Sequence, residues 1–393
     1  GGIAGLASAV YLIREAGFTG SNITIFDQGK VNGGAMDGSG SAENGYLIRG
    51  GRMHEEHYGC TWDLLSAIPA LDNQNISVTQ EVFEFNRQVV SCSYARLLRA
   101  GKKIDASSYG LSKRDTFDLL RLNMASEEHL GAKQIDEWFA PEFFDTVFWQ
   151  LWATTFAFQR WSSLVEMRRY AIRFIHLLPG FNQLKGIMRT VYNQYDSVVL
   201  PVENWLRQRG VNFRMSAPVI DIDFDFANGE KRATAFHYLT AGSPRQIALG
   251  ANDYLFVTLG SMVESSSVGT MTTPAPLKPK ETIGAWALWE RIASKHEAFG
   301  RPAAFNGQVD RSKWMSFTVT LKDPAFFEHM ERFTGNRTGT GGLVTMTDSN
   351  WFMSVVLAHQ PHFRNQSPGH FVFWGDGLLP DNPGNFVQKP MSQ

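Results

Sequence analysis

The chain has 393 residues, enough for two or three domains. Its 37 basic and 38 acidic side chains leave a net charge of −1, so no global field attracts nucleic acid and we predict no nucleic-acid partner. Hydrophobic residues make up 43% of the chain, which allows a large core, and its only cysteines, Cys60 and Cys92, fit a reducing, cytoplasmic compartment. No apolar run has transmembrane length.

The N-terminal segment is predicted to be a glycine turn that leads into a helix. Ile3, Leu6 and Val10 recur at three- and four-residue spacing, and Gly17 is a suitable C-terminal cap. The alternating segment NITIFD follows as a short strand and ends at Asp27.

This order of elements is typical of a dinucleotide-binding βαβ unit. Such a unit has the pattern GxGxxG, a helix, a strand, and an acid about 20 residues on that binds the ribose hydroxyls. Gly2 and Gly5 supply the last two glycines and Asp27 supplies the acid. The pyrophosphate would lie on the N–H groups at the helix N-terminus, where the helix dipole favours an anion. The first strand is expected before residue 1, and an ordinary turn between helix and strand is the alternative.

Two glycine pairs follow, Gly33-Gly34 and Gly50-Gly51. Paired glycines let the backbone approach a flat or phosphorylated ligand, because no Cβ intervenes. Arg52 follows the second pair, and a guanidinium can make bidentate hydrogen bonds to a phosphate or a carboxylate. The alternative is a polar surface loop with ordinary turn glycines.

Residues 64–184 are rich in aromatic and apolar residues and are predicted to be mostly helical. Ser162 or Ser163 is expected to cap one helix, which carries Tyr170. From the residues alone, Tyr170 reads as a packed tyrosine with its hydroxyl at the surface. The predicted buried stripe of this helix comprises Leu164, Met167, Ala171, Phe174 and Ile175.

Residues 185–265 return to α/β patterning. A helix that ends at Gly210 and a strand are followed by predicted strands at 217–226, 235–240 and 253–261, the last of them buried. From about residue 275 onward, short strands alternate with turns and aromatics, which indicates a second domain that contains a sheet.

Long motifs run through the chain, among them NGYLIRGGRM, TTFAFQRWSSLVEMRRYAIRF, DSNWFMSVVLAHQPHFRNQ and FWGDGLLPD. In these motifs the chain resembles the oleate hydratase family, the FAD-containing fatty-acid hydratases once called myosin-cross-reactive antigens. The resemblance implies an α/β fold, with a Rossmann-like FAD-binding domain and a discontinuous helical and sheet-containing substrate domain. It also implies FAD as the cofactor.

The expected FAD-binding domain comprises 1–63 and 185–270, without its first strand. A helical substrate or lid region comprises 64–184, and a substrate domain comprises 271–393. Because no late glycine motif follows Gly377, we expect the natural protein to continue beyond Gln393.

The implied reaction is hydration of a cis double bond in a long-chain unsaturated fatty acid, as when oleate becomes 10-hydroxystearate. Tyr170 matches the position of the tyrosine that acts as the acid in this family. Met53 stands where the family has a water-activating glutamate. Either another group acts as base, or this chain belongs to a subgroup that works without that carboxylate, or activity is reduced. Glu55, Glu56 and His57 are nearest in sequence, and we predict Glu56 with Tyr170 and Met53 as catalytic positions.

The resemblance makes His362 a candidate for binding the substrate carboxylate, although Val356 and Ala358 stand where polar partners are expected. We predict no metal site, and we leave open a homodimer and peripheral membrane contact. A flavin oxidoreductase and a non-catalytic lipid-binding flavoprotein are the alternatives. The predicted cofactor-binding residues are Gly2, Ala4, Gly5, Asp27, Gly33, Gly34, Gly50, Gly51, Arg52 and Val219.

Overall fold

The computed structural model describes residues 1–282 and 284–393, and the chain divides into two compact units. The first unit comprises Gly1–Gly38, Gly59–Glu81 and Asn193–Lys313. The second unit comprises Ser39–Tyr58, Val82–Tyr192 and Trp314–Gln393.

The elements are given in chain order. The α-helices are α1 (Ile3–Arg14), α2 (Gly59–Ser66), α3 (Val78–Gln88), α4 (Lys113–Met124), α5 (Glu127–Leu130), α6 (Val147–Phe156), α7 (Leu164–Phe174), α8 (Leu200–Gln208), α9 (Gly284–Lys295), α10 (Ala303–Asn306) and α11 (Ala325–Thr334). The strands are β1 (Thr24–Phe26), β2 (Ser39–Ser41), β3 (Gly45–Leu47), β4 (His54–Glu55), β5 (Leu97–Arg99), β6 (Lys102–Lys103), β7 (Ile187–Met188), β8 (Asn212–Arg214), β9 (Val219–Asp225), β10 (Arg232–Thr240), β11 (Ser243–Ala248), β12 (Met315–Leu321), β13 (Val344–Met346), β14 (Met353–Val356) and β15 (Phe371–Gly377).

In the first unit, α1 and β1 form as the local sequence predicts. Leu6 and Val10 are fully buried on one side of α1, and Gly17 adopts a φ of +70° after the helix, which suits a residue without a Cβ. β1 pairs in parallel with β8, which follows α8 and a left-handed turn at Gly210. The predicted helix, glycine stop and strand near 200–214 are therefore confirmed.

A three-stranded antiparallel sheet, in the order β11-β10-β9, also belongs to the first unit. Ile222 and Phe236 pack with Leu288 and Ile292 of α9, so the helix covers one face of this sheet. The predicted strands at 217–226 and 235–240 correspond to β9 and β10 and are confirmed.

The predicted buried strand at 253–261 is wrong. The segment pairs with no strand among the described residues, and Tyr254 and Phe256 are 71% and 55% exposed. A strand needs a partner for its backbone hydrogen bonds, and alternation of apolar residues does not supply one.

In the second unit, an aromatic cluster fills the space between α4, α6 and α7. Thr146 caps α6 by accepting a hydrogen bond from the N–H of Trp149, and Ser163 caps α7 by accepting one from Glu166. The predicted cap at Ser162 or Ser163 is thus Ser163. The fully or nearly buried aromatics of the cluster are Phe139, Phe143, Phe144, Phe148, Trp149, Trp152, Phe158 and Phe181.

The predicted buried stripe on α7 is confirmed only in part. Leu164 and Met167 are fully buried, but Ile175 is 53% exposed and lies after the helix has ended at Phe174. The chain turns there into a segment of 3₁₀-helix, which takes Ile175 off the stripe.

Within the described residues, a six-stranded sheet of the second unit has the order β12-β15-β14-β13-β5-β6. Only β13 and β5 pair in parallel among these neighbours. One face packs on α11 through Phe327 and Met330, and residues of β3 lie along the other face. No described helix is long and apolar enough to cross a membrane.

Candidate functional site

Gly2 and the Gly33-Gly34 turn lie against each other in the first unit. Gly2 forms a parallel bridge with Gly33, and a Cβ at Gly34 would lie 3.3 Å from the Cα of Gly2. Gly33 and Gly34 have φ values of +103° and +58°, which glycine adopts readily. The structure therefore brings together two glycine turns that are far apart in sequence.

The N-terminus of α1 is open to a ligand. Gly2 precedes the helix in an extended conformation and makes no side-chain cap, so N–H groups of the first turn are available. A Cβ built at Gly2 or at Gly5 would meet no atom within 4 Å, and Ala4 is exposed. These features meet the steric and electrostatic needs of a pyrophosphate at this helix end.

Two side-chain oxygens lie next to this turn. A Cβ at Gly1 would come within 2.3 Å of Asp27 Oδ2 and 2.9 Å of Asn32 Oδ1, so both side chains border the same backbone. Asn32 is 3% exposed, and its Oδ1 has no hydrogen-bond partner among the described residues. Two neighbouring acceptors suit ribose hydroxyls, and this gives the predicted Asp27 a companion that the sequence did not indicate. Val219 begins β9 and pairs with Tyr238 in the same unit.

The Gly50-Gly51 turn belongs to the second unit and lies on the six-stranded sheet. Tyr46 N–H donates to Thr320 Oγ1 at 2.9 Å, and Ile48 N–H donates to Thr318 Oγ1 at 3.2 Å. A Cβ at Gly51 would then lie 2.9 Å from Trp374 Cζ2. The contact with the indole therefore explains a glycine at position 51.

The residues after this turn differ in exposure. Arg52 and Met53 are partly buried, and Arg52 Nη1 donates to the carbonyl of Gly51 at 3.2 Å. The side chain of Glu56 is 69% exposed and lies 3.8 Å from His57 Nε2.

Glu55 is the centre of a buried ion-pair network that the sequence did not predict. Its carboxylate is fully buried and lies 2.6 Å from Arg173 Nη2, 2.9 Å from His57 Nδ1 and 3.4 Å from His176 Nε2. Burial alone would raise the pKa of Glu55, but hydrogen bonds from His57 and the charge of Arg173 lower it overall. The carboxylate, His57 and His176 have a spacing that would also suit a metal ion, and here Arg173 supplies compensating positive charge.

Tyr170, on α7, packs its ring against three phenylalanines. Its ring centroid lies 5.1 Å from that of Phe156, 5.2 Å from that of Phe158 and 5.9 Å from that of Phe174. The hydroxyl makes no hydrogen bond to any residue in the described part of the chain. Burial, with the charge of Glu166, raises the pKa of Tyr170, so its proton is held firmly in this surrounding.

His362 is 9% exposed and is held by its backbone, whose N–H donates to Gln366 Oε1 at 2.7 Å. Burial, with the neighbouring His359, lowers its pKa to about 4, so the imidazole is neutral at physiological pH. Val356 and Ala358, which stand where polar partners were expected, are buried.

Residues 1–393 match the MCRA family. This chain belongs to the MCRA family. It is 37% identical over 401 aligned positions to an oleate hydratase of Streptococcus pyogenes serotype M49 (strain NZ131), with 100% of this chain and 68% of that protein covered. It is 31% identical over 423 positions to a linoleate hydratase of Lactiplantibacillus plantarum, with 99% and 74% covered. The resemblance to the oleate hydratases is confirmed.

Among solved structures, this MCRA family member is similar to an oxidoreductase from Methanosarcina mazei. The TM-score is 0.52 at 13% identity, with 96% of this chain and 77% of that chain covered. A likeness at this identity shows the fold alone, and the predicted α/β fold class is confirmed at that level.

The predicted site residues form two groups. The first unit contains the residues assigned to the dinucleotide, which are Gly2, Ala4, Gly5, Asp27, Gly33, Gly34 and Val219. The second unit contains the residues assigned to catalysis, to the flavin turn and to the substrate, which are Gly50, Gly51, Arg52, Met53, Glu56, Tyr170 and His362. Their roles stay predictions.

Proposed function

We propose that this MCRA family member adds water across a cis double bond of a long-chain unsaturated fatty acid and forms a hydroxy fatty acid. The observation that carries the proposal is the alignment of the whole chain with an oleate hydratase and a linoleate hydratase. The division into two units supports a discontinuous substrate domain formed by the second unit.

FAD is the proposed cofactor, and the residues of the first unit fit its ADP half. The open N-terminus of α1 would take the pyrophosphate, and Asp27 with Asn32 would accept hydrogen bonds from the ribose. When bound, the flavin shapes the site and its charge without net redox change. We propose that Gly50, Gly51 and Arg52 border the flavin or the substrate entrance.

Tyr170 is the proposed acid that protonates one carbon of the double bond. The aromatic group around it, Phe156, Phe158 and Phe174, excludes water and gives an apolar wall for an alkyl chain. Its hydroxyl makes no hydrogen bond to a described residue, so the proton can be directed at a substrate. A tyrosine has an ordinary pKa of about 10, so the proton stays in place at neutral pH.

Met53 cannot accept a proton, so a different group must take one from the attacking water. Glu56, the base predicted from the sequence, has a side chain that is 69% exposed, which disfavours it for a reaction that needs a dry tunnel. Glu55 is already held by Arg173 and His57.

His362 is the proposed partner of the substrate carboxylate. A neutral, buried imidazole can donate a hydrogen bond to a carboxylate, and the bound anion would favour its protonation. Homodimer formation and peripheral membrane contact remain predictions.

Product analysis tests this proposal. Holoprotein incubated anaerobically with oleate or linoleate should give a product heavier by one water, while the flavin spectrum stays unchanged over many turnovers. An unsaturated or oxidised product, formed as the flavin is reduced, would favour the oxidoreductase alternative. Tight fatty-acid binding without product would favour the lipid-binding one.

A further inference from the structure

Three side chains that can ligate a metal converge at the end of β4, in the second unit. Glu55, His57 and His176 each offer one ligand atom, and these atoms all lie within 4.8 Å of one another. Glu55 Oε2 is 2.9 Å from His57 Nδ1 and 3.4 Å from His176 Nε2. His176 is 121 residues away from Glu55 in the sequence, so no ligand-spacing motif indicates the cluster.

The separations suit one shared ion. A tetrahedral ion with bonds of about 2.0–2.1 Å holds neighbouring ligand atoms roughly 3.3 Å apart. The contact of 3.4 Å between His176 Nε2 and Glu55 Oε2 is longer than a good hydrogen bond, but it is the distance expected for two ligands of the same ion. The hydrogen-bond network alone therefore explains the approach of His57 better than that of His176.

The chemistry of the set also suits an ion. Two imidazoles and one carboxylate are a ligand set that binds divalent transition metals such as zinc. The carboxylate of Glu55 is fully buried, whereas the side chains of His57 and His176 are 59% and 35% exposed. An ion can therefore enter from solvent on the histidine side, and water can complete its coordination.

Two charged residues lie where outer partners of such a site are expected. Arg173 Nη2 is 2.6 Å from Glu55 Oε1, so it holds the carboxylate with its other oxygen toward the histidines. Glu56 Oε1 is 3.8 Å from His57 Nε2, and ligating histidines usually direct their second ring nitrogen at such a carboxylate. With neutral imidazoles, the two glutamates and Arg173 together carry a charge of −1, which favours a cation.

We propose that Glu55, His57 and His176 form a binding site for a divalent transition-metal ion of the zinc class. The ion ties the segment after the Gly50-Gly51 turn to the chain just beyond α7, the helix that carries Tyr170. Its role is structural, and it takes no part in the addition of water. The site goes beyond the proposed function and does not depend on it.

The test uses the full-length protein, prepared without a polyhistidine tag and freed of metals with a chelator. Calorimetric titration with Zn²⁺ should show one tight site per chain, and Co²⁺ should give the visible absorption of a tetrahedral ion. His57→Gln and His176→Gln should each lower the affinity for Zn²⁺ by more than about 10-fold, since even an outer partner is worth about 10–100-fold. Both variants keep the buried pair of Glu55 and Arg173, so the fold is retained.

His129→Gln is the matched control, because it makes the same change at an exposed position of the same unit and should leave the affinity unchanged. Glu56→Gln should weaken binding by about 10-fold and keep one ion per chain. A wild-type protein that binds no Zn²⁺, or either variant of His57 and His176 binding it as tightly as the wild type, would overturn the proposal. No fatty acid is present in these titrations, so their outcome is independent of the proposed hydration.

Discussion

Gly51 lies so close to Trp374 that a β-carbon at position 51 would be 2.9 Å from Cζ2 of the indole. The φ of Gly51 is not in the left-handed region, so it is space rather than backbone conformation that excludes a side chain. This contact anchors the glycine turn to the face of the six-stranded sheet opposite α11.

Gly51→Ala should therefore destabilise the protein by about 1–3 kcal/mol, the usual cost of overpacking. Trp374→Phe, which shortens the ring, should recover part of the loss when combined with it, so the two changes should be non-additive. Denaturant unfolding measures both effects. Gly59→Ala is the control, because a Cβ there would meet nothing within 4 Å, and additive losses for Gly51 and Trp374 would contradict the contact.

Gly5→Val should leave the full-length protein folded but free of flavin. A Cβ at Gly5 meets no protein atom within 4 Å, so the new side chain would occupy space reserved for the pyrophosphate. Ala7→Val introduces the same side chain on the same helix, with a loss of helix propensity that Gly5→Val does not have, and should retain FAD. The flavin absorbance of the purified variants is the measurement, and normal loading of Gly5→Val would argue against this binding mode.

Tyr170→Phe should abolish hydration and leave FAD bound. The ring keeps its packing against Phe156 and Phe158, so only the proton donor is removed. Turnover of oleate and flavin absorbance are measured on the same preparation. Retention of more than a few per cent of wild-type activity would exclude Tyr170 as the acid.

Met53→Glu should not reduce activity, because it introduces a proton acceptor where this chain has none. Activity on oleate is measured with FAD bound. Met53→Gln, which has the shape of glutamate but accepts no proton at neutral pH, should give no gain. Equal activity of both variants would show that size rather than basicity matters.

Stability should fall on mild acidification because of buried histidines. Burial lowers the pKa of both His54 and His362 from 6.5 to about 4. Above pH 6.5 these two histidines are neutral in both the folded and the unfolded protein, so their burial does not reduce stability. As pH falls from 6.5 to 4, the unfolded chain binds protons that the folded protein does not, and this destabilises the folded state. Each histidine then costs up to about 3 kcal/mol.

His362→Gln should therefore lose less free energy of unfolding between pH 6.5 and 4 than the wild type. His129→Gln changes an exposed histidine and serves as the control. Denaturant unfolding at a series of pH values gives the slopes. Identical slopes for wild type and His362→Gln would contradict the burial of a neutral imidazole at this position.

The sequence predicted those elements whose causes are local. The helix after Gly2, its stop at Gly17 and the cap of α7 by Ser163 each depend on residues within a few positions. The strand expected at 253–261 failed for the opposite reason, because strand pairing depends on a partner that no local pattern reveals.

The same distinction holds for the candidate site. The pair Glu55 and Arg173 is separated by 118 residues, and nothing in the HEEHY sequence indicates that the first glutamate is buried and the second exposed.

The most direct test of the proposed hydration is whether the oxygen of water enters the hydroxy acid. Wild-type holoenzyme and Tyr170→Phe are incubated with oleate in H₂¹⁸O, and the hydroxy acid is analysed by mass spectrometry. We expect one ¹⁸O per product molecule for the wild type, an unchanged oxidation state of the flavin, and no product for Tyr170→Phe. A hydroxy acid without ¹⁸O, or the same labelled product from both proteins, would contradict it.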